Sequence, residues 1–196
     1  MKMGREIRKV PPNWQPPKIE RPNHRRGQME ERDQPMFDRA FAPAMREWIA
    51  EWEKWERGER PDYCDDEASR SLPYWKWEGG PPDPEYYRPD WKPEEMTWFQ
   101  LYETVSEGTP VTPAFATREE LVEYLVANGD YWDQKRRAEG CSIMRCTPWP
   151  RAEAESFVFG AGWAPSMIVS DGRVMTGTEG MAALRHNTCS PTDLPG

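Results

Sequence analysis

Cys141, Cys146, His186 and Cys189 are side chains of the types that hold zinc. Three thiolates and one imidazole would close a tetrahedral structural site and fasten the end of the chain to the 141–146 stretch. The spacing fits imperfectly. Cys141-x4-Cys146 leaves four residues between the first pair, where a zinc knuckle prefers two. The competing reading is a set of reduced thiols in unconnected loops, Cys64 among them. The leading expectation is therefore no metal and no cofactor, with structural zinc on Cys141, Cys146, His186 and Cys189 as the runner-up.

Other chemistries find less. The chain has 2 histidines, His24 and His186. A serine or cysteine nucleophile needs an imidazole base beside it, and neither histidine follows a nucleophile on a recognisable element. Asp90-Trp91-Lys92, with Asp83 upstream, has the D-x-K order of some metal-dependent nucleases. Those enzymes carry it on a strand, so that two carboxylates share one Mg²⁺. Here Pro89 and Pro93 bracket it. Gly160-x-Gly162 follows a helical pattern and lacks the further glycine of a dinucleotide fingerprint, and there is no P-loop. These readings together predict a protein that is not an enzyme.

The bulk properties set the frame. The chain has 196 residues, 11 of them Trp and 21 Pro, and a net charge of −8. So many aromatics mark a folded chain with proline-rich loops. No apolar run reaches the ~18 residues of a membrane span, and the charged start MKMGREIRKV has no apolar stretch behind it. A cytoplasmic protein is expected. The charge is uneven: residues 1–39 hold 10 basic against 6 acidic side chains, and residues 40–107 hold 8 against 17. The acidic middle argues against direct nucleic-acid binding and suits a basic protein partner.

The elements that must position any site follow from pattern. Residues 1–39 read as a basic extended arm, because VPPNWQPPKIERP places five prolines in thirteen residues; Trp14 and Ile19 are its candidate anchors. Met45, Trp48, Ile49, Trp52 and Trp55 recur at helical spacing after Pro43, so a tryptophan-rich helix is expected, closed by Gly58. Its tryptophans are read as core. Residues 59–96 read as an irregular loop, since LPYWKWEGGPPDPEYYRPDWKPEE combines six prolines with a Gly-Gly pair.

The remainder, 97–185, reads as a small α+β domain before a loose tail, 186–196. TWFQLYETV (97–105) is a strand, with a helix as its rival. Thr117 and Glu120 form a capping box for a helix to Asn128. A second helix spans about 151–159, and Asp130 and Asp133 cap or solvate a helix end. Two short strands, 166–170 and 173–176, flank an Asp171-Gly172 hairpin turn, which is expected to pair with 97–105. A short helix is expected near 179–184. The predicted fold class is α+β: a small antiparallel sheet with a C-terminal hairpin and two or three helices, together with the tryptophan-rich helix, the arm and the loop.

Several stretches resemble a widespread group of small proteins encoded by tailed phages and prophages. They are GREIRKVPPNWQPPK, YYRPDW, TWFQLYETVSEGTPVTPAFATREELVEYLVANGDYWDQ and GWAPSMIVSDGRVMTG, and the likeness is strongest over 97–134. The resemblance implies a phage gene product working inside a bacterium and carries over no catalytic residues.

The leading functional expectation is a phage accessory protein that binds a host or phage protein with a basic surface, in the manner of a counter-defence, anti-CRISPR-type inhibitor. Its binding residues are expected to be Trp75, Trp77, Glu78, Asp83, Glu85, Tyr86, Tyr87 and Trp91, aromatic anchors ringed by carboxylates. The alternatives are a virion- or assembly-associated structural protein and a metal-dependent enzyme of DNA metabolism.

Overall fold

The computed structural model describes residues 4–23, 27–64, 66–104, 107–140, 147–165, 167–170 and 172–188. In chain order its elements are β1 (Arg5–Val10), β2 (Lys18–Asn23), β3 (Gln28–Asp33), β4 (Phe37–Ala40), α1 (Phe41–Glu56), α2 (Glu67–Arg70), α3 (Tyr74–Trp77), a 3-10 turn (Pro84–Tyr86), β5 (Tyr87–Arg88), β6 (Trp98–Glu103), β7 (Thr109–Pro110), α4 (Arg118–Asn128), α5 (Tyr131–Ala138), α6 (Arg151–Val158), β8 (Trp163–Ala164), β9 (Met167–Ser170), β10 (Arg173–Thr176) and α7 (Gly177–Thr188). The class is α+β. The chain divides into two compact units, residues 36–91 and the remainder.

In the larger unit, an antiparallel sheet runs in the order β7-β6-β1-β8. The N-terminal stretch is extended, as its prolines require, but it is not an appended arm. β1 lies between β6 and β8, with Arg5 opposite both Glu103 and Ala164. Its anchors are Val10 and Arg5, 1% and 7% exposed, ahead of the half-buried Trp14 and Ile19. Beyond β1, Pro11 and Pro12 set a turn in which the Trp14 amide donates to the Pro11 carbonyl at 3.1 Å. Asn13 takes a positive φ of 57° there, a conformation asparagine tolerates. β2 and β3 then pair as a hairpin.

Leu101 on β6 is fully buried, and α4 covers it with Leu121, Val122 and Leu125. α6 adds Ala154, Phe157 and Val158 to the same core, and the Trp149 ring meets Phe157 edge-on at 5.6 Å. The capping box forms: Thr117 Oγ1 accepts from the Glu120 amide, and the Glu120 carboxylate accepts from the Thr117 amide. Gly129 ends the helix at φ 73°, where an added Cβ would lie 2.8 Å from the Asp133 Cβ. Asp130 then caps α5, an element the sequence pattern did not show, through the amides of Trp132 and Asp133.

The β9–β10 hairpin forms with the expected register, Val174 opposite Val169. It does not pair with β6. β1 and β7 occupy both sides of β6, so the hairpin stands as its own two-stranded sheet. Its Ile168 side packs on α7, where Gly180 allows close approach. The short helix expected near 179–184 forms as the longer α7, which reaches Thr188.

In the smaller unit, β4 and β5 form a parallel pair leading into α1. The supposedly irregular loop contains α2, α3 and the 3-10 turn. Asp66 caps α2 by accepting from the Ser69 amide at 2.7 Å, and Asp83 opens the 3-10 turn by accepting from the Glu85 amide at 3.0 Å. The buried centre is Trp55, Cys64 and Tyr74, with Trp48 and Trp77 against it. Among the described residues no helix is long and apolar enough to cross a membrane.

Candidate functional site

α1 places three tryptophans at steps of four and three, and their fates differ. Trp55 is 4% exposed. Its ring stacks on Trp77 at 4.6 Å, the Arg60 guanidinium lies 3.8 Å over it, and its Nε1 donates to the Leu72 carbonyl at 2.9 Å. Trp48 packs on Tyr74 at 5.3 Å. Trp52, expected in the core, instead stacks on the outside of Trp48 at 6.4 Å and stays 39% exposed. Tyr74 and Trp77 from α3 cover Trp55, and Trp52 is left at the rim.

α3 divides its pair of tryptophans the same way. Tyr74 and Trp77 turn inward, and Trp75 turns outward at 53% exposure with Lys76 Nζ 5.2 Å from its ring. Tyr63 stacks on Trp77 at 5.7 Å and is largely exposed. Burial pushes the Tyr74 phenol above its ordinary range, aided by the nearby Glu78 and Glu51 carboxylates, so the hydroxyl stays neutral.

The eight expected binding residues therefore separate. Trp75, Glu78, Asp83 and Glu85 are exposed. Trp77, Tyr86 and Trp91 are half-buried, Trp91 beneath the Arg88 guanidinium at 5.4 Å. Tyr87 is buried against Phe37 and Phe41, ring centroids 5.0 and 5.9 Å away, and belongs to the core of the β4–β5 corner. Tyr63, which no sequence pattern singled out, and Trp52 and Ile49, both placed by their spacing on the apolar stripe of α1, are exposed apolar side chains of this unit.

Cys141, Cys146 and Cys189 lie outside the described residues, as do His24 and the side chain of His186. Among the described residues no group of three or more His, Cys, Asp or Glu side chains is placed to hold a metal ion. The Asp90-Trp91-Lys92 stretch lies on no strand, so it lacks the geometry a D-x-K nuclease requires.

The larger unit carries a polar network with no counterpart in the sequence reading. Arg5 Nη2 and Nε donate to Asp130 Oδ2 at 2.7 and 2.9 Å, both side chains buried. Asp133 accepts from Trp149 Nε1 at 3.0 Å and from Arg136 at 2.6 Å. Glu103 accepts from Trp132 Nε1, and burial pushes its carboxyl above the usual range despite the pull of Arg5. At the hairpin, Lys135 Nζ donates to both Glu30 oxygens at 2.7 and 2.9 Å and the Tyr131 hydroxyl adds a bond at 3.2 Å. With Arg32 also on it, the Glu30 carboxyl is lowered to about 2.

Beside this network lies a groove of about 380 Å³, bordered by Trp14, Trp98, Gln100, Thr112, Tyr124 and Gln134. These residues come from five separate stretches, which is why spacing alone did not assemble them. No family model, no curated protein and no solved structure matches the chain.

Proposed function

We propose that this protein works by binding another protein, through the aromatic and acidic face of residues 36–91. The observation that carries the reading is Trp75, half exposed on a short helix while Trp77, two residues on, closes the core. Exposed indole is a favoured interface anchor. Tyr63 and Trp52 enlarge the apolar surface of the same unit, and Glu78, Asp83 and Glu85 are exposed on it. Residues 36–91 hold 14 acidic against 8 basic side chains, which suits a partner with a basic surface. Taken with the resemblance to phage proteins, the reading is of a partner in the host cytoplasm whose basic nucleic-acid-binding surface this face would occlude, the action of a counter-defence inhibitor of the anti-CRISPR kind.

The test is affinity capture from infected cells with the intact protein and two variants. Capture is expected to weaken with salt, because surface charge is screened beyond ~8 Å at physiological ionic strength. Trp75→Ala with Tyr63→Ala is expected to lose the partner. Reversing Glu78, Asp83 and Glu85 to Lys is expected to slow association more than it speeds dissociation. Capture with unchanged salt dependence after the triple reversal would place the interface elsewhere.

One observation favours a second reading, a virion- or assembly-associated protein. The outer face of the β9–β10 hairpin leaves Met167, Val169 and Val174 between 58% and 67% exposed. Finding the protein in purified particles would support this reading over the first.

A further inference from the structure

The groove in the larger unit is built around a buried carboxamide. Gln100 on β6 is 2% exposed, and its Nε2 donates to the Thr112 carbonyl at 2.9 Å. That carbonyl can only accept, so the amide nitrogen must face it. Oε1 then faces Tyr102, whose hydroxyl donates to it at 2.9 Å. The two partners fix the amide in one orientation and use one of its two N–H groups, and Gln100 borders the groove with the other in reserve. Thr112 is held as firmly: its hydroxyl accepts from the Leu101 amide at 3.1 Å and donates to the Pro113 carbonyl at 2.9 Å.

The walls are aromatic. The Pro-Pro-Asn turn brings Trp14 to one side, β6 brings Trp98, and α4 brings Tyr124. Gln134 from α5 donates from Nε2 to the Tyr124 hydroxyl at 3.0 Å and to the Gly129 carbonyl at 3.2 Å. Its Oε1 is therefore the acceptor edge offered to the groove. The volume, about 380 Å³, falls within the range of small-molecule sites.

Charge decides what kind of molecule suits this chemistry. Lys18 at the rim is paired with Asp33. An adjoining cavity of about 200 Å³ is lined by Lys18, Arg21 and Arg32 but equally by Glu31, Asp33 and Glu103. Cations and carboxylates are equal in number there, and the whole chain carries −8, so no net positive charge draws a phosphate in. A flat π-face, one oriented donor and one acceptor, without net charge, describe a partner that stacks and pairs through its edge. We propose that this groove binds an uncharged planar nitrogen heterocycle with a donor and an acceptor on one edge, the chemistry of a nucleobase carried as a free base or nucleoside.

The experiment is calorimetric titration of the full chain with adenosine, guanosine, cytidine and thymidine, with their 5′-monophosphates and with maltose. At least one nucleoside is expected to bind with a Kd below about 1 mM, and its monophosphate no more tightly. Gln100→Leu is expected to weaken that binding about tenfold, the loss of one edge hydrogen bond. Because Gln100 is buried, Gln134→Leu and Trp98→Ala at the rim serve as second variants, with near-ultraviolet circular dichroism confirming the fold; each is expected to weaken binding by a similar factor. No nucleoside binding at millimolar concentration overturns the proposal. So does binding that survives both rim variants, a monophosphate that binds more tightly than its nucleoside, or maltose binding in place of the nucleosides.

Discussion

Trp52 and Trp55 are three residues apart on α1, which leaves them about 60° apart around the helix at 100° per residue. One is 39% exposed and the other 4%. The apolar stripe is plain in the sequence, but its depth is not, because depth depends on what packs opposite. Here Tyr74 and Trp77 fill the space over Trp55 and leave Trp52 on the rim. The energetic consequence differs accordingly. Trp55→Ala removes a buried ring and orphans the Leu72 carbonyl it serves, and is expected to cost about 3–5 kcal/mol. Trp52→Ala is expected to cost under about 1 kcal/mol, as a surface change does. Urea unfolding followed by far-ultraviolet circular dichroism separates the two. Equal losses would mean that Trp52 is core after all.

The elements divide by how local their signals are. α4 was readable because a capping box and an apolar face occupy a dozen consecutive residues, and the β9–β10 hairpin because its turn chemistry sits between its strands. α5 escaped because its cap is an Asp-x-x-Asp box, a weaker sequence signature than Thr-x-x-Glu, on a short stretch whose apolar side chains are Tyr131, Trp132 and Ala138 alone. β2 and β3 escaped because KIERPN and QMEERD are polar on both faces. Its strands pair through their own ladder, and what ties the hairpin to α5 is the pair of bonds on Glu30 from Lys135 and Tyr131, with Arg32 of β3 on the same carboxylate. This gives the hairpin a pH dependence. The Glu30 carboxyl is depressed from 4.5 to about 2, so its stabilisation is complete above pH 4.5 and is lost as pH falls from there toward 2. Glu103 has the opposite sign, since its raised carboxyl is relieved as pH falls. Comparing the protein with Glu30→Gln isolates the first effect. The stability difference between them is expected to be largest above pH 4.5 and to shrink toward pH 2. A difference that stays constant across that range would show that the charge on Glu30 does not hold the hairpin.

At the scale of the whole molecule, the reading that fell furthest from the structure concerns the first ten residues. REIRKV has only Ile7 and Val10 as apolar side chains, three residues apart and so without strand alternation, precedes a pair of prolines, and finds its main partner, β6, about ninety residues later. No local pattern reports a pairing at that separation. Yet β1 hydrogen-bonds on both sides, to β6 through six register pairs and to β8 through two, and Arg5 supplies the cation for the buried Asp130 that caps α5. Sheet, helix cap and chain start are thus one structural feature. Removing residues 1–10 should therefore not trim an appendage. It should expose an edge of β6, strand Asp130 without its partner, and abolish the cooperative unfolding transition of the larger unit. Arg5→Met is the finer probe, because it keeps the strand and removes only the charge. Leaving a buried carboxylate uncompensated is expected to cost about 3–5 kcal/mol, read from urea denaturation. If the truncated chain melts at the temperature of the intact one, β1 contributes nothing to the sheet that contains it, and the start of the chain is an arm.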